Sequence, residues 1–285
     1  MKDVNLTSGP WPDYELLDSG DNRKLERFGR YSVIRPETQA IWQPKNPALW
    51  KDAQAEFLWA NGKGSWRKKN IPEPWEMRWN NARFTLRLTA FKHTGIFPEQ
   101  AANWEWMIER LKKLEKPNVL NLFGYTGAVS IIAAQHGATV THVDASKQSN
   151  AWAKENAELS GIHDGIRFIT DDGLKFSERE VRRGATYEGI ILDPPAFGRG
   201  ANGEVWRIEE HLPKLLTALK KIFSKKPGSF FILNGYAAGY SPESFAQAVQ
   251  SIFGELPNAE FGELRIAETG TGRVVPSGIY VRFTC

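Results

Sequence analysis

The stretch NLFGYTGAVSIIAAQHGATVTHVDASKQSNAWAKEN, residues 121–156, reads as an apolar strand, a glycine turn, a helix, a second strand and an acidic residue at that strand's end. A buried strand that turns through glycine into a helix and is followed by another strand is the repeating unit of a parallel sheet. The acidic residue, Asp144, falls at the carboxyl end of its strand, which is where open α/β sheets bind ligands.

Working outward, the same alternation holds for the rest of the chain after His93. It predicts helices over 99–115, 127–136, 147–160, 174–183, 205–223 and 242–253, and strands over 119–122, 139–143, 166–170, 189–192, 229–233, 261–267 and 279–284. The last two strands have no helix between them and are expected to pair antiparallel at the sheet edge. Before His93 the character differs: seven of the 11 tryptophans lie there, among proline-punctuated segments and short alternating runs. The reading is a small α+β hairpin domain over 1–92 and a seven-stranded α/β domain over 93–285. One hairpin is expected from WEMRWNNARFTLRL, with NNAR as the turn between strands 75–79 and 84–88. The tryptophans read first as core, with a base-stacking surface as the other possibility.

Bulk properties narrow the function classes. With 41% hydrophobic residues in 285 and no apolar run long enough to span a bilayer, the chain reads as a soluble protein. MKDVNLTSGP lacks the features of a signal peptide, so the cytoplasm is expected. A single cysteine, Cys285, can form no internal disulfide, and the five histidines show no metal-ligand spacing, so no metal is expected. A net charge of +4 permits a polyanionic partner without requiring one. The basic clusters WRKKN (66–70), REVRRG (179–184) and LKKIFSKKPG (219–228) read first as solvated faces.

At the turn FGYTG, Gly124 and Gly127 allow a ligand close to the backbone, and the helix start offers free amides for a carboxylate or phosphate. Asp144 is placed to bind the two hydroxyls of a ribose. In ITDDGLKF, Asp172, or failing it Asp171, can accept from an adenine amine. The turn lacks one glycine of the dinucleotide fingerprint GxGxxG, which disfavours NAD. S-adenosylmethionine, with an amino acid carboxylate and amine in place of a pyrophosphate, suits a short turn beside Asn121. The next strand ends in GIILDPPAFGRG, where Pro194 and Pro195 make a rigid corner that turns Asp193 to the sheet mouth. The following glycine-bearing loop offers Arg199 for a phosphate. A purely structural strand-to-helix connection is the alternative.

These residues resemble the class I S-adenosylmethionine-dependent methyltransferases and, within them, the large-subunit rRNA methyltransferases I and K. LNLFGYTGAVSIIAA is similar to their first motif, VDAS to the ribose site, DDGLKF to the adenine site and DPPAF to the DPPxF motif; HTGIFPEQAANWEWM is similar to their upstream TG segment. The class I sheet also ends in two strands without an intervening helix. The resemblance implies S-adenosylmethionine as cofactor, with Phe123, Gly124, Tyr125, Thr126 and Gly127 along its methionine part and Asp144, Ala145 and Ser146 at the ribose. It further implies Asp171, Asp172 and Gly173 at the adenine, and Gly95 and Gln100 from the upstream segment. Asp193, Pro194, Pro195 and Phe197 then form the reacting end, and an RNA enzyme is expected to show a basic surface around that mouth that includes Arg199 and Arg207. Glu99 and Ala101 depart from the aspartate and arginine usual in that segment, and no length before the hairpin domain matches the family's RNA-binding PUA domain. Cysteine-dependent methylation of cytosine carbon 5 is disfavoured, because ILNGYAAGYSPESF holds no cysteine and Cys285 belongs to the expected edge strand. A base nitrogen of RNA, rRNA above all, is the expected acceptor, with Phe197 either stacking on a flipped base or filling the core under its loop. A small-molecule or protein methyltransferase, and a non-catalytic RNA-binding module, are the rival readings; the oligomeric state is left open.

Overall fold

Alternation of apolar and polar residues favours strands in the first ninety residues, and the computed structural model places nine there, with no α-helix among the described residues of that stretch, where an α+β domain is expected from the sequence. It describes residues 1–60, 62–199, 203, 205–236 and 239–285, with only the backbone of Ala60 and Arg199. The chain forms two compact units, one of Met1–Leu6, Ala102–Leu264 and Gly278–Cys285, the other of Thr7–Ala101 and Arg265–Ser277.

Two short strands, β1 (Lys2–Asp3) and β2 (Leu6–Ser8), open the chain. The smaller unit is then a five-stranded sheet in sequence order, β3 (Tyr14–Gly20), β4 (Arg23–Phe28), β5 (Tyr31–Pro36), β6 (Ala55–Ala60) and β7 (Lys63–Lys68), plus a hairpin of β8 (Trp75–Trp79) and β9 (Ala82–Leu86). Its helical content among the described residues is two 3-10 turns, Leu49–Asp52 and Pro98–Gln100. The hairpin turn is shorter than NNAR: Trp79 pairs with Ala82, and Asn80, at φ 51°, takes the left-handed backbone that a two-residue turn needs. Ala82 and Arg83 therefore join the ladder. Tyr14, Leu16, Leu25, Phe28, Met77, Phe84 and Leu86 are fully buried, and Trp75 and Trp79 nearly so, whereas Trp59 is 67% exposed. Inside this core Glu26 accepts two hydrogen bonds from Arg35 at 2.7 and 2.8 Å and one from the Tyr14 hydroxyl at 2.9 Å, with Lys24 at 3.6 Å.

The larger unit carries α1 (Ala101–Leu111), β10 (Asn118–Leu122), α2 (Ala128–Gln135), β11 (Thr139–Asp144), α3 (Lys147–Leu159), β12 (Ile166–Thr170), α4 (Gly173–Arg183) and β13 (Gly189–Leu192). A small antiparallel pair, β14 (Phe197–Arg199) and β15 (Val205–Arg207), leads into α5 (Ile208–Ile222), β16 (Phe230–Gly235), α6 (Pro242–Phe253), β17 (Glu260–Ala267) and β18 (Val274–Thr284). All seven expected strands lie in one sheet of order β12-β11-β10-β13-β16-β18-β17, parallel from β12 to β16, with β18 antiparallel to β16. Two strands beyond the seven join it, β1 alongside β17 in parallel and β2 also on β17. The strand before Cys285 is therefore interior, between β16 and β17, and not at the edge. Residues 205–207, expected in a helix, extend instead: a β-branched and an aromatic side chain favour the strand, and Ile208 donates to the Ala196 carbonyl at 3.1 Å where the helix starts. Side chains from α4, α5 and α6, including Phe176, Leu212, Leu216, Phe245 and Val249, pack with Leu120, Leu192, Phe231 and Leu233 into one apolar cluster. Glycine at 189 is required there, since a Cβ would lie 2.5 Å from the Phe230 ring.

Candidate functional site

The parallel strands end in step, with Leu122 beside Val143 and Leu192, Asp144 beside Thr170, and Leu192 beside Leu233. The loops after them therefore meet along one edge of the sheet. Between β10 and α2 the turn folds tightly: Phe123 (φ 56°), Tyr125 (φ 48°) and Gly127 (φ 87°) all take left-handed backbone. Gly124 donates to Val143 at 3.1 Å, and a Cβ on it would come within 2.4 Å of the His142 ring, so glycine is obligatory. Thr126 and Gly127 are buried behind the turn, where Asn156 donates to the Thr126 carbonyl at 2.9 Å.

No side chain among the described residues caps α2, whose N-cap is Gly127. By contrast Ser146 caps α3, Asp172 caps α4 and Ser241 caps α6. The uncapped start of α2 keeps its first amides and the positive end of the helix dipole for an anionic group. Asp144 faces the same turn. Its carboxylate accepts from the backbone amides of Tyr125 at 2.9 Å and Ser146 at 2.8 Å, one per oxygen, which leaves a lone pair on each for vicinal hydroxyls. Burial raises its pKa, and those two amides pull the other way. Ala145 and Ser146 hold the chain that carries these donors, and Asn150 ties the ends of β11 and β12 by donating to the Asp144 carbonyl at 2.9 Å and the Thr170 hydroxyl at 3.0 Å.

At the end of β12, Asp172 spends one oxygen on the Lys175 amide at 2.9 Å. Asp171 accepts the Asp172 amide at 2.8 Å and is ion-paired with Arg179. Gly173 is buried against Phe123, whose ring would lie 3.3 Å from a Cβ there. Phe123 in turn meets Trp206 edge-on at 5.0 Å, and the Trp206 indole donates to the Pro195 carbonyl at 2.7 Å. One aromatic pair thus connects the turn to the Asp193-Pro194-Pro195 corner. Phe197 is 55% exposed beyond that corner, so it is no core side chain. Arg207 is exposed and paired with Glu210 at 3.0 Å; the Arg199 side chain lies outside the described residues, as do Gly200, Ala201, Asn202 and Glu204 of the following loop. Gly95 (φ 111°) and Gln100, both buried, belong to the smaller unit.

His142, one of the five histidines without metal-ligand spacing, has a place in the site that only the fold reveals. It is fully buried two residues before Asp144, its Nδ1 is 2.9 Å from the Ser130 hydroxyl, and Ser130 accepts from Asn121 at 2.9 Å. Burial lowers its pKa to about 3, so it is neutral and works as packing under Gly124. The available signal was its register, on the same strand face as Val140 and Asp144 and two residues from each. Trp206 and Asn150 carried none, because what they join is distant in sequence. Cys285 sits at the other end of the sheet, where its amide donates to the Ser229 carbonyl ahead of β16 at 2.9 Å.

Residues 56–238 match the model of the S-adenosylmethionine-dependent methyltransferase family. The chain is 42% identical to the SAM-dependent methyltransferase of Agrobacterium tumefaciens, whose crystal structure superposes with a TM-score of 0.94 over 99% of this chain and 93% of that one. It is 33% identical over 246 residues to the ribosomal RNA large subunit methyltransferase K/L of Alteromonas mediterranea, which is 82% of this chain and 33% of that protein. To the enzyme of that name in Pseudoalteromonas atlantica it is 36% identical over 144 residues, 50% of this chain and 20% of that one. The chain thus matches a third or less of the length of these curated relatives.

Proposed function

This chain belongs to the S-adenosylmethionine-dependent methyltransferases, and on that premise we propose that it methylates a base nitrogen of RNA, with ribosomal RNA as the favoured acceptor. The donor set at the strand ends suits the cofactor. The first amides of α2 would bind the methionine carboxylate, Asp144 the ribose hydroxyls, and Asp172 or Asp171 the adenine amine. Bound there, S-adenosylmethionine would supply an electrophilic methyl group on its sulfonium, for transfer to the lone pair of the acceptor nitrogen with S-adenosylhomocysteine as the leaving group.

The chain's own task is then alignment and exclusion of water, since an unprotonated ring nitrogen brings its own lone pair, takes over the positive charge of the sulfonium and needs no general base. The Asp193-Pro194-Pro195 corner, tied back by Trp206, holds the reacting end rigid. Phe197 would stack on a base turned out of its helix. The observation that carries the proposal is that ring, 55% exposed at the carboxyl end of β13, where a core role would have buried it. The thiol of Cys285 at the far end of β16 supports a nitrogen over the cytosine carbon. The cytoplasm, with its ribosomes, is the proposed setting.

The test is transfer of labelled methyl from S-adenosylmethionine to ribosomal RNA, transfer RNA and protein fractions, followed by nucleoside mass spectrometry. Label on an N-methylated base of rRNA is expected, with Phe197→Ala lowering turnover about ten-fold or more at unchanged cofactor affinity. Label confined to protein or small molecules would overturn the proposal.

A further inference from the structure

On the face of the large sheet away from α4, α5 and α6, polar side chains are buried in a line. Val281 and Phe283 of β18 belong to the apolar cluster on the other face, so Arg282 between them points to the side of α1. Arg282, 7% exposed, donates to Glu260 at 2.7 and 2.9 Å and to the Oδ1 of Asn103 in α1 at 3.2 Å. The Trp106 and Tyr280 rings flank its guanidinium, 5.0 and 5.2 Å away. Asn103 in turn donates to the Oδ1 of Asn234, the next-to-last residue of β16, at 2.8 Å. Both asparagines are buried.

The direction of every bond in this line is forced. Arginine has donors only, so Asn103 must turn its oxygen to Arg282 and its nitrogen to Asn234. Asn234 must then spend its oxygen on Asn103, which leaves its two N–H donors turned away from Asn103. Among the described residues its side chain makes no other hydrogen bond. Leu192 pairs with Leu233 at the last step of the β13–β16 ladder, so Asp193 and Asn234 follow side by side at the carboxyl ends. The groups assigned to the cofactor belong to β10, β11 and β12, and β16 lies on the far side of β13 from all three. N–H groups at that place address the methyl acceptor and not the cofactor. We infer that Asn234 donates to a lone pair on the edge of the base being methylated, a carbonyl oxygen or an unprotonated ring nitrogen, and that Arg282 sets this direction through Asn103. A base edge offering an amine there would set donor against donor and be turned away. This rests on the RNA reading above and adds to it the edge by which the base is held.

The test is transfer of labelled methyl from S-adenosylmethionine to total ribosomal RNA by the full chain and by Asn234→Leu and Asn103→Asp, with S-adenosylmethionine affinity by calorimetry and the melting temperature measured alongside. Asn234→Leu removes the N–H groups. Asn103→Asp leaves Asn234 in place but presents only an oxygen to it, so the Asn234 amide turns over and shows its own oxygen to the base, while Arg282 gains a charged partner. Both variants are expected to lower kcat/KM for RNA about ten-fold or more at unchanged S-adenosylmethionine affinity, and Asn103→Asp to melt close to the parent. Turnover like the parent's in either variant would overturn the inference and leave the RNA reading standing. A fall in melting temperature and S-adenosylmethionine affinity in step with turnover would make the line a structural brace and likewise overturn it. A parent that labels no RNA would overturn both.

Discussion

Glu26 and Asp144 are both carboxylates removed from bulk water, and their surroundings differ in kind. Around Glu26 burial would raise the pKa, yet Arg35 and Lys24 outweigh it and hold the group at about 2. Around Asp144 burial is answered only by two backbone amides, and the pKa stays raised. The first is a closed arrangement, with the oxygens facing Arg35 and Tyr14; the second keeps lone pairs unspent at a strand end. A closed buried network holds a fold together, whereas an open one is costly until a ligand completes it. The largest expected effect therefore belongs to the closed one. Arg35→Ala leaves Glu26 uncompensated in the core and is expected to destabilise the smaller unit by about 3–5 kcal/mol in urea unfolding. A cost under about 1 kcal/mol would erase the distinction.

Acid separates the two groups without mutation. Glu26 has a folded pKa below its ordinary 4.5, so its contribution is fully present above that value and is lost as pH falls from there through about 2. The loss amounts to about 3 kcal/mol. Asp144 has the opposite sign: its raised pKa means that any stabilisation it gives is present only below its ordinary 3.8 and is lost as pH rises through the folded value. Stability measured from pH 6 down to pH 2 should therefore fall with acid in the parent chain, and the fall should flatten in Glu26→Gln.

The same contrast governs what could be read before any coordinates. The glycine turn, Asp144 and the DPPAF corner are legible because their chemistry is local: left-handed backbone, a helix start and paired prolines are written within a few neighbouring residues. Seven strands and most helices follow from periodicity for the same reason. Strand order is a different matter. Nothing in the alternation of 279–284 says that β18 enters between β16 and β17, and a two-residue strand such as β1 has no period to detect. The closed network is equally silent, since Glu26 and Arg35 read as solvated charges until β4 and β5 pair and place them together. Tryptophan misleads in the other direction: Trp59 and Trp75 are alike in composition, and only the position of Trp59 near the tip of the β6–β7 hairpin, past the residues where β5 pairs, leaves one outside.

The smallest expected effect on folding belongs to the open carboxylate, and there the consequence for binding should be largest. Asp144→Asn keeps the size of the side chain and removes a charge that the apo fold does not compensate with any cation, so its stability should stay within about 1 kcal/mol of the parent. The substituted amide, however, offers one acceptor oxygen in place of two, while Tyr125 and Ser146 still present their amides. With the ribose hydroxyls competing for that single oxygen, S-adenosylmethionine affinity by calorimetry is expected to drop about 10- to 100-fold. Because the two quantities move apart only if the carboxylate is held for a ligand, a substitution that lowered stability and affinity together would place Asp144 with Glu26 as a structural group.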